Sequence, residues 1–152
     1  MKKKILIILI VIFVAIQFIR PQENNGQPIT NQDITHYVQV PENIHNILKA
    51  SCYDCHSNKT NYPWYSKINP IGLWLNNHVN EGKSELNFSD FSGYNKKKIV
   101  HKLEETAEQV QEGHMPLPSY LWLHKEAKLN QQQVTEVVAW AKNERQRLKG
   151  TK

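Results

Sequence analysis

Cysteine is scarce in this chain, and its scarcity limits what the sequence can encode. Only two cysteines, Cys52 and Cys55, occur among the 152 residues, so at most one disulfide can form within the chain. The sequence also lacks an internal repeat, a glycine-rich phosphate loop and the alternating apolar pattern typical of strands. These absences argue against a repeat protein, a phosphate-loop nucleotide-binding fold and a sheet, and they leave an all-α chain as the expectation.

Excess charge of one sign is also missing once the first 20 residues are set aside. The formal net charge is +5, with 19 basic and 14 acidic residues. Lys2, Lys3, Lys4 and Arg20 supply four of the basic residues, and no acidic residue lies in that segment, so the remainder carries a charge near +1. A basic surface for nucleic acid is therefore not predicted.

The one long apolar run lies at the N-terminus, directly after the three lysines. Residues 5–16 are apolar without a break, Gln17 interrupts the run, and Phe18 and Ile19 extend it. A basic start followed by an apolar run is typical of an export signal. Its bulky end offers no small-residue cleavage site, so residues 1–20 are predicted to remain as a transmembrane anchor, with the domain in the periplasm. The alternative is a removed signal that leaves a soluble periplasmic protein.

The length of this run bears on the anchor hypothesis. As a helix, residues 5–19 would measure about 22 Å at ~1.5 Å per residue, less than the ~30 Å hydrocarbon core of a bilayer. Flanking Lys and Arg side chains can reach the lipid headgroups and reduce that mismatch. A single-pass helix is therefore the expectation.

The rest of the chain divides into a polar segment and one domain. Residues 21–40 begin with a polar stretch without apolar periodicity, which predicts a linker. Residues 41–150 carry four helical patterns and predict one small domain. The first pattern begins at Glu42 and places Ile44, Ile47 and Leu48 on one face. The second is predicted to begin at Asn69 as N-cap, with Pro70 in the first turn, and to close at Gly82.

The other two helical patterns complete the predicted domain. The third covers residues 95–112 and is followed by Gly113, a residue typical of helix C-termini. The last covers residues 130–148, where Asn130 and Gln133 resemble a capping box. Its apolar face, with Trp140 at the border, is expected to pack against the first helix; the face consists of Val134, Val137, Val138 and Ala141.

The two cysteines belong to the motif C-x-x-C-H, formed by residues 52–56, which is the attachment motif of c-type haem. Thiols three positions apart can each add across one vinyl group of a porphyrin, and the imidazole of His56 then becomes the proximal iron ligand. Three alternatives remain: a structural disulfide, a thioredoxin-like redox pair and a zinc knuckle. A redox pair needs a βαβ setting, and structural zinc usually takes a second cysteine pair or a spaced histidine pair; neither pattern is present.

A second iron ligand is predicted from a proline-rich segment after the third helix. Pro116 and Pro118 are expected to exclude helix and to hold the segment extended, so that Met115 presents its thioether to the iron. His114 and His124 are the neighbouring rivals. His78 is a further alternative, because it shares the apolar face of the second helix with Ile71, Trp74 and Leu75.

Several segments together resemble a known family. A helix entering the C-x-x-C-H motif, a later Met-Pro and an amphipathic C-terminal helix are similar to class I cytochromes c. The segments Tyr62-Pro63-Trp64-Tyr65-Ser66, His78-Val79-Asn80-Glu81-Gly82-Lys83 with Leu86-Asn87-Phe88-Ser89, and Met115-Pro116-Leu117-Pro118-Ser119-Tyr120 resemble the haem-binding domain family of exported bacterial C-x-x-C-H proteins. This resemblance covers roughly residues 40–148. It implies a cytochrome c-like domain around one covalent haem, with thioethers at Cys52 and Cys55, His56 proximal and Met115 distal.

The predicted function is that of a membrane-anchored mono-haem cytochrome that passes single electrons to a redox partner protein and is not an enzyme. A haem-based sensor or weak peroxidase with an open distal side is the first alternative, with His78, His114 or His124 as hydrogen-bond donor. A non-haem protein whose cysteines hold zinc or form a disulfide is the second.

Overall fold

The computed structural model describes residues 1–150, and this part of the chain is helical throughout its regular structure. Its α-helices are α1 (Lys2–Ile16), α2 (Glu42–Ser51), α3 (Tyr53–His56), α4 (Ile71–Glu85), α5 (Lys96–Gln111), α6 (Pro118–Leu121) and α7 (Gln131–Gly150). Short 3₁₀ turns cover Ile34–His36, Trp64–Lys67 and Lys125–Ala127. Within residues 1–150 no strand forms, and Asn25 and Lys59 make only an isolated antiparallel bridge. The all-α prediction is confirmed.

Local capping explains the bounds of α5 and α7. The Asn95 side chain accepts a hydrogen bond from Lys98 N at 2.9 Å and starts α5, and Gly113 follows its end with a φ of 72°. Asn130 and Gln133 exchange side-chain-to-backbone hydrogen bonds of 2.9 Å at the start of α7, as the capping-box pattern predicts.

The core forms where α2, α5 and α7 meet. Trp140, predicted at the border of the α7 apolar face, is buried and donates its indole N–H to Gln39 O at 2.8 Å. The predicted contact between α7 and α2 is present, but α7 packs more extensively along α5. Burying a large apolar side chain stabilises a fold by about 1.5–3 kcal/mol. The main cluster also includes Ile44, Ile47, Leu48, Ile99, Leu103, Ala107, Val110, Val137 and Ala141.

The predicted bounds of the second helix are wrong at both ends. The helix begins at Ile71, and Asn69 does not cap it. The buried Asn69 side chain instead donates to the carbonyls of Ile16 and Ile19 at 2.7 and 2.8 Å, at the end of α1 and just beyond it. Gly82 lies inside α4, which continues to Glu85.

The N-terminal helix ends before the last apolar residues of the segment that predicted it, since Phe18 and Ile19 lie beyond it. It has 15 residues, none of them buried, and it ends where the Gln17 side chain forms hydrogen bonds with the backbone of Asn69 in both directions, at 2.9 and 3.0 Å. Within residues 1–150 no helix reaches the length and apolarity needed to span a bilayer, so the predicted transmembrane helix is not supported.

The segment predicted as a linker packs against the domain over much of its length. Ile34 and Val38 are 1% and 3% exposed and belong to the core cluster, and Asp33 is fully buried. Nearer the N-terminus, the Asn24 amide donates to Ser57 O at 2.9 Å. Because these side chains are buried or bonded, residues 24–38 form part of the folded unit.

Candidate functional site

The C-x-x-C-H motif forms a tight turn at the end of α2. Cys52 N donates to Leu48 O at 2.8 Å, and His56 N donates to Cys52 O at 2.9 Å, so the motif continues the helical path of α2 through α3. Tyr53 is 5% exposed and stacks on Phe88 with ring centroids 5.4 Å apart. Both cysteines are free thiols. The buried tyrosine anchors the turn in the core.

Two adjoining cavities lie against this turn. The first cavity has a volume of about 240 Å³ and extends towards α5, where Lys102, Glu105 and Gln109 line it. The second cavity has a volume of about 260 Å³ and extends towards α4 and α6, where His78 and Tyr120 line it. The two cavities share a set of lining residues on the motif, α4 and the segment before α6: Ser51, Cys52, His56, Glu85, Met115 and Pro116.

The imidazole of His56 is oriented by the backbone of α4 and the residue after it. Its Nδ1 lies 3.0 Å from Leu86 O, and because a carbonyl only accepts, Nδ1 carries the proton and Nε2 keeps its lone pair. Burial lowers the pKa of His56, with a small contribution from the charge of Lys102, while hydrogen bonds to the backbone of Leu86 and Gly82 oppose that shift. A neutral imidazole with a free Nε2 is the form that binds iron.

The two thiols are protonated near neutral pH. Burial raises the pKa of Cys52 to about 12, with a smaller contribution from Cys55. Burial also raises the pKa of Cys55 to about 11, and the adjacent Asp54 carboxylate adds to the shift. Because the thiolate is the nucleophilic form, burial makes both cysteines less reactive near neutral pH. Within residues 1–150 no group of three or more His, Cys, Asp or Glu side chains is placed to hold a metal ion.

Gly82 allows α4 to approach the motif closely. A Cβ atom at this position would lie 3.1 Å from both the Cβ and the carbonyl oxygen of Cys55. Ordinary carbon–carbon contacts begin at about 3.5 Å, so only glycine fits without displacing the motif. This contact explains why Gly82 occurs within the helix although it resembles a helix terminator in the sequence.

Met115 is brought to the same cavities as His56. Its backbone N–H and that of His114 donate to Gln109 O at 3.1 and 3.0 Å, directly after α5. The prediction that the prolines exclude helix from this segment is wrong at Pro118, which occupies the first turn of α6. Proline fits there because the first turn of a helix does not use its N–H groups.

The alternative histidines lie in three different places. His78 lines the second cavity, 4.5 Å from the Trp74 ring centroid, with its Nδ1 3.3 Å from Glu81. His114 is 63% exposed at its side chain, and His124 forms a 2.7 Å hydrogen bond with the Tyr65 hydroxyl; neither lines the two cavities. Met115 and His78 are therefore the predicted distal groups that the structure brings to the motif.

The helical face predicted around His78 is buried only at Leu75. Ile71 and Trp74 are 45% and 49% exposed, whereas Gly72, Leu75 and Val79 are the buried positions of α4. Because α4 packs against the motif through Gly82, its inward face keeps Leu75 from the predicted face but is rotated away from Ile71 and Trp74. His78 consequently lies at the edge of the domain and not in its core.

The sequence analysis missed the cationic residue of the site. Lys102 is only 12% exposed at its side chain, and its Nζ lies 2.7 Å from Glu105 and 3.5 Å from Glu85. Burial alone would lower the pKa of Lys102, but hydrogen bonds and charge from these two carboxylates raise it, so the side chain stays cationic. The signal was available: Lys102, Thr106 and Gln109 follow helical spacing beside the buried stripe of α5.

The described residues therefore form an all-α protein with a C-x-x-C-H turn, and the imidazole of that turn lines two adjoining cavities. The sequence model of one family, described as the haem-binding domain, matches residues 11–143. The chain belongs to the haem-binding domain family, which confirms the predicted resemblance and supports haem as the cofactor. No curated protein and no solved structure matches the chain.

Proposed function

We propose that this protein is a c-type cytochrome that carries one covalent haem and passes single electrons to a redox partner protein. One observation carries the proposal. The two thiols lie on the same turn as a neutral imidazole, and the Met115 thioether lines the same adjoining cavities as that imidazole. Two attachment points and two axial ligands are what a six-coordinate haem c requires.

Each residue has a distinct role in this proposal. The Cys52 and Cys55 sulfurs each form a bond to one carbon of a vinyl group while the thiol proton goes to the other carbon, so attachment needs no oxidant. His56 Nε2 and the Met115 sulfur would hold the iron of the bound haem. When bound, the haem iron supplies reversible one-electron chemistry. With both axial positions taken, no site for a substrate remains, which favours an electron carrier over an enzyme.

We propose that Lys102 pairs with a propionate carboxylate of the bound haem. It is the only Lys or Arg side chain among the residues that line the two cavities. Glu85 and Glu105 hold it in the wall of the first cavity. A buried carboxylate needs a cation or hydrogen-bond donors, and this lysine can supply the charge.

We further propose that the N-terminal segment directs export to the periplasm. Three lysines followed by an exposed apolar helix support export. In this proposal the segment stays on the protein and attaches it to the membrane. The alternative is that the segment is removed after export. Cell fractionation and the mass of the mature chain distinguish these outcomes, and recovery of the protein from the cytoplasm contradicts the export proposal.

The central test is whether haem remains attached in denaturant. The full chain is produced in cells with a cytochrome maturation system, separated on a denaturing gel and stained for haem. The expected protein carries a stain and a mass increase of one haem, whereas Cys52→Ser with Cys55→Ser carries neither. A ferric spectrum of low-spin iron with the weak near-infrared band of methionine coordination is also expected. Loss of all haem from the parent protein on the gel refutes covalent attachment.

A haem-based sensor or weak peroxidase is the second candidate. The observation in its favour is the position of His78, which lines the second cavity together with Met115 and is bonded to Glu81. An imidazole there can donate to a ligand on the iron or act as an acid–base group. Two observations together support this candidate and contradict the six-coordinate cytochrome: a high-spin spectrum of the ferric protein, and a spectral shift when CO is added to the reduced protein.

A further inference from the structure

The segment that carries Met115 is held to the rest of the domain by a hydrogen bond at each end. Upstream, the backbone N–H of Met115 donates to Gln109 O at 3.1 Å. Downstream, the Tyr120 hydroxyl donates to Asp54 Oδ2 at 2.7 Å. Asp54 lies between the two cysteines of the motif, so the second tie joins the Met115 segment directly to the haem attachment turn.

Both partners of this hydrogen bond are held in place by other contacts. The second oxygen of Asp54 accepts hydrogen bonds from Asn61 N and Nδ2 at 3.1 and 3.0 Å. The Tyr120 ring stacks on His124 at 4.3 Å with an interplanar angle of 10°, and His124 is bonded to Tyr65. A hydrogen bond to a carboxylate with fixed partners is stronger than one between neutral groups.

The tyrosine keeps its donor proton across the working pH range. Burial raises the pKa of Tyr120, and the hydrogen bond to Asp54 and the charge of that carboxylate raise it further. Pro116 and Pro118 restrict the backbone between Met115 and the tyrosine. A displacement of the Tyr120 side chain is therefore expected to displace Met115 as well.

We propose that Asp54 and Tyr120 are positioning residues for the distal ligand, and that their hydrogen bond keeps the Met115 sulfur against the iron. The inference rests on the proposed function, in which Met115 is that ligand. This role would give the second x position of the C-x-x-C-H motif a function beyond spacing, since Asp54 joins the turn of the motif to the segment that carries Met115. All three residues line the second cavity.

The test replaces Tyr120 with Phe in the full haem-loaded chain, which removes the hydroxyl and keeps the ring. The matched control is Tyr62→Phe, which also deletes a bonded hydroxyl, since Tyr62 accepts from Asn24 N at 2.9 Å. Two quantities are measured for each variant. The first is the affinity of the ferrous protein for carbon monoxide, and the second is the intensity of the near-infrared methionine band of the ferric protein. We expect Tyr120→Phe to bind CO roughly tenfold more tightly and to weaken the band, and the control to match the parent.

A second variant separates positioning from general loss of stability. Asp54→Ala alone and combined with Tyr120→Phe gives a double-mutant cycle for CO affinity. If the two residues act through one hydrogen bond, the double variant binds CO no more tightly than Asp54→Ala. Full additivity of the two effects overturns the inference. The cycle is read from CO affinity in folded, haem-loaded protein, so a lower unfolding temperature alone does not imitate the expected result.

The proposed function and this inference fail in different ways. If the parent protein lacks the methionine band, Met115 is not the distal ligand, and the assignment under the proposed function fails together with the inference. If the parent shows the band and Tyr120→Phe leaves both the band and CO affinity unchanged, only the positioning role is refuted.

Discussion

Replacing Gly82 with Ala tests whether α4 packs closely against the C-x-x-C-H turn. The added Cβ would lie 3.1 Å from the Cβ and the carbonyl oxygen of Cys55, about half an ångström closer than ordinary contact. Overpacking of this kind costs about 1–3 kcal/mol. In an exposed helix the same substitution would instead stabilise the protein by ~1 kcal/mol. The two effects oppose each other, and the contact is expected to outweigh the helix preference.

The net expectation for Gly82→Ala is a destabilisation of about 1 kcal/mol, since the overpacking exceeds the helix gain. Guanidinium unfolding of the haem-loaded protein, followed by tryptophan fluorescence, measures this change. The yield of covalently loaded protein should also fall, because the methyl group displaces Cys55. Gly93→Ala is the control, since a Cβ at Gly93 meets nothing within 4 Å. A stabilisation of ~1 kcal/mol in Gly82→Ala, as in an exposed helix, refutes the close approach.

Four further predictions concern the site. Met115→Ala should open the sixth coordination position and lower the reduction potential, measured by redox titration; unchanged values, with a response in His78→Ala instead, contradict the distal assignment. His56→Ala should abolish the normal low-spin spectrum, and a spectrum like the parent's excludes His56 as proximal ligand. Lys102→Met should lower the potential, because loss of the cation beside Glu85 and Glu105 favours ferric iron; an unchanged or higher potential refutes its role. In haem-free folded protein, alkylation of Cys55 by iodoacetamide at pH 8 should be about a hundredfold slower than in urea, since its pKa is raised from 9.0 to about 11; equal rates exclude the raised pKa.

The same cysteine shifts predict how stability depends on pH. The folded state binds the thiol protons more tightly than the unfolded chain does, so the unfolded chain loses its protons first as the pH rises. Haem-free protein should therefore lose stability from about the unfolded pKa of 9.0 upwards, towards the folded values of about 11 and 12. Haem-loaded protein should lack this cysteine contribution, because thioethers do not titrate. Parallel chemical unfolding of both forms across this pH range measures the difference, and identical profiles contradict the assignment.

The parts of the fold that depend on neighbours in sequence were predictable. The C-x-x-C-H turn, Gly113 after α5 and the Asn130–Gln133 capping box depend on contacts within a few residues, and the structure contains each of them. Local geometry sets these features, so the spacing of the residue types is sufficient information.

The errors occur where a short or polar residue serves a distant segment. Asn69 resembled an N-cap but binds the end of α1, and Gly82 resembled a terminator but gives room to Cys55. An Asn side chain or a missing Cβ suits either role, and sequence spacing does not distinguish them. Leu86 was missed for the same reason, since its contact with His56 joins segments that are separate in the chain.

The difference between locally and distantly determined parts of the site predicts two classes of variant. The attachment half of the site, Cys52, Cys55 and His56, is formed by one local turn, whereas Met115 reaches it through a separate segment. That segment is positioned by contacts such as the bond from Tyr120 to Asp54, which spans 66 residues of sequence. Changes to the thiols should therefore prevent covalent loading, while changes around Met115 should leave haem attached and alter only its axial ligands and potential. A covalent haem stain combined with a spectrum assigns each variant to one class, so loss of the stain in Met115→Ala would show that the two halves depend on each other.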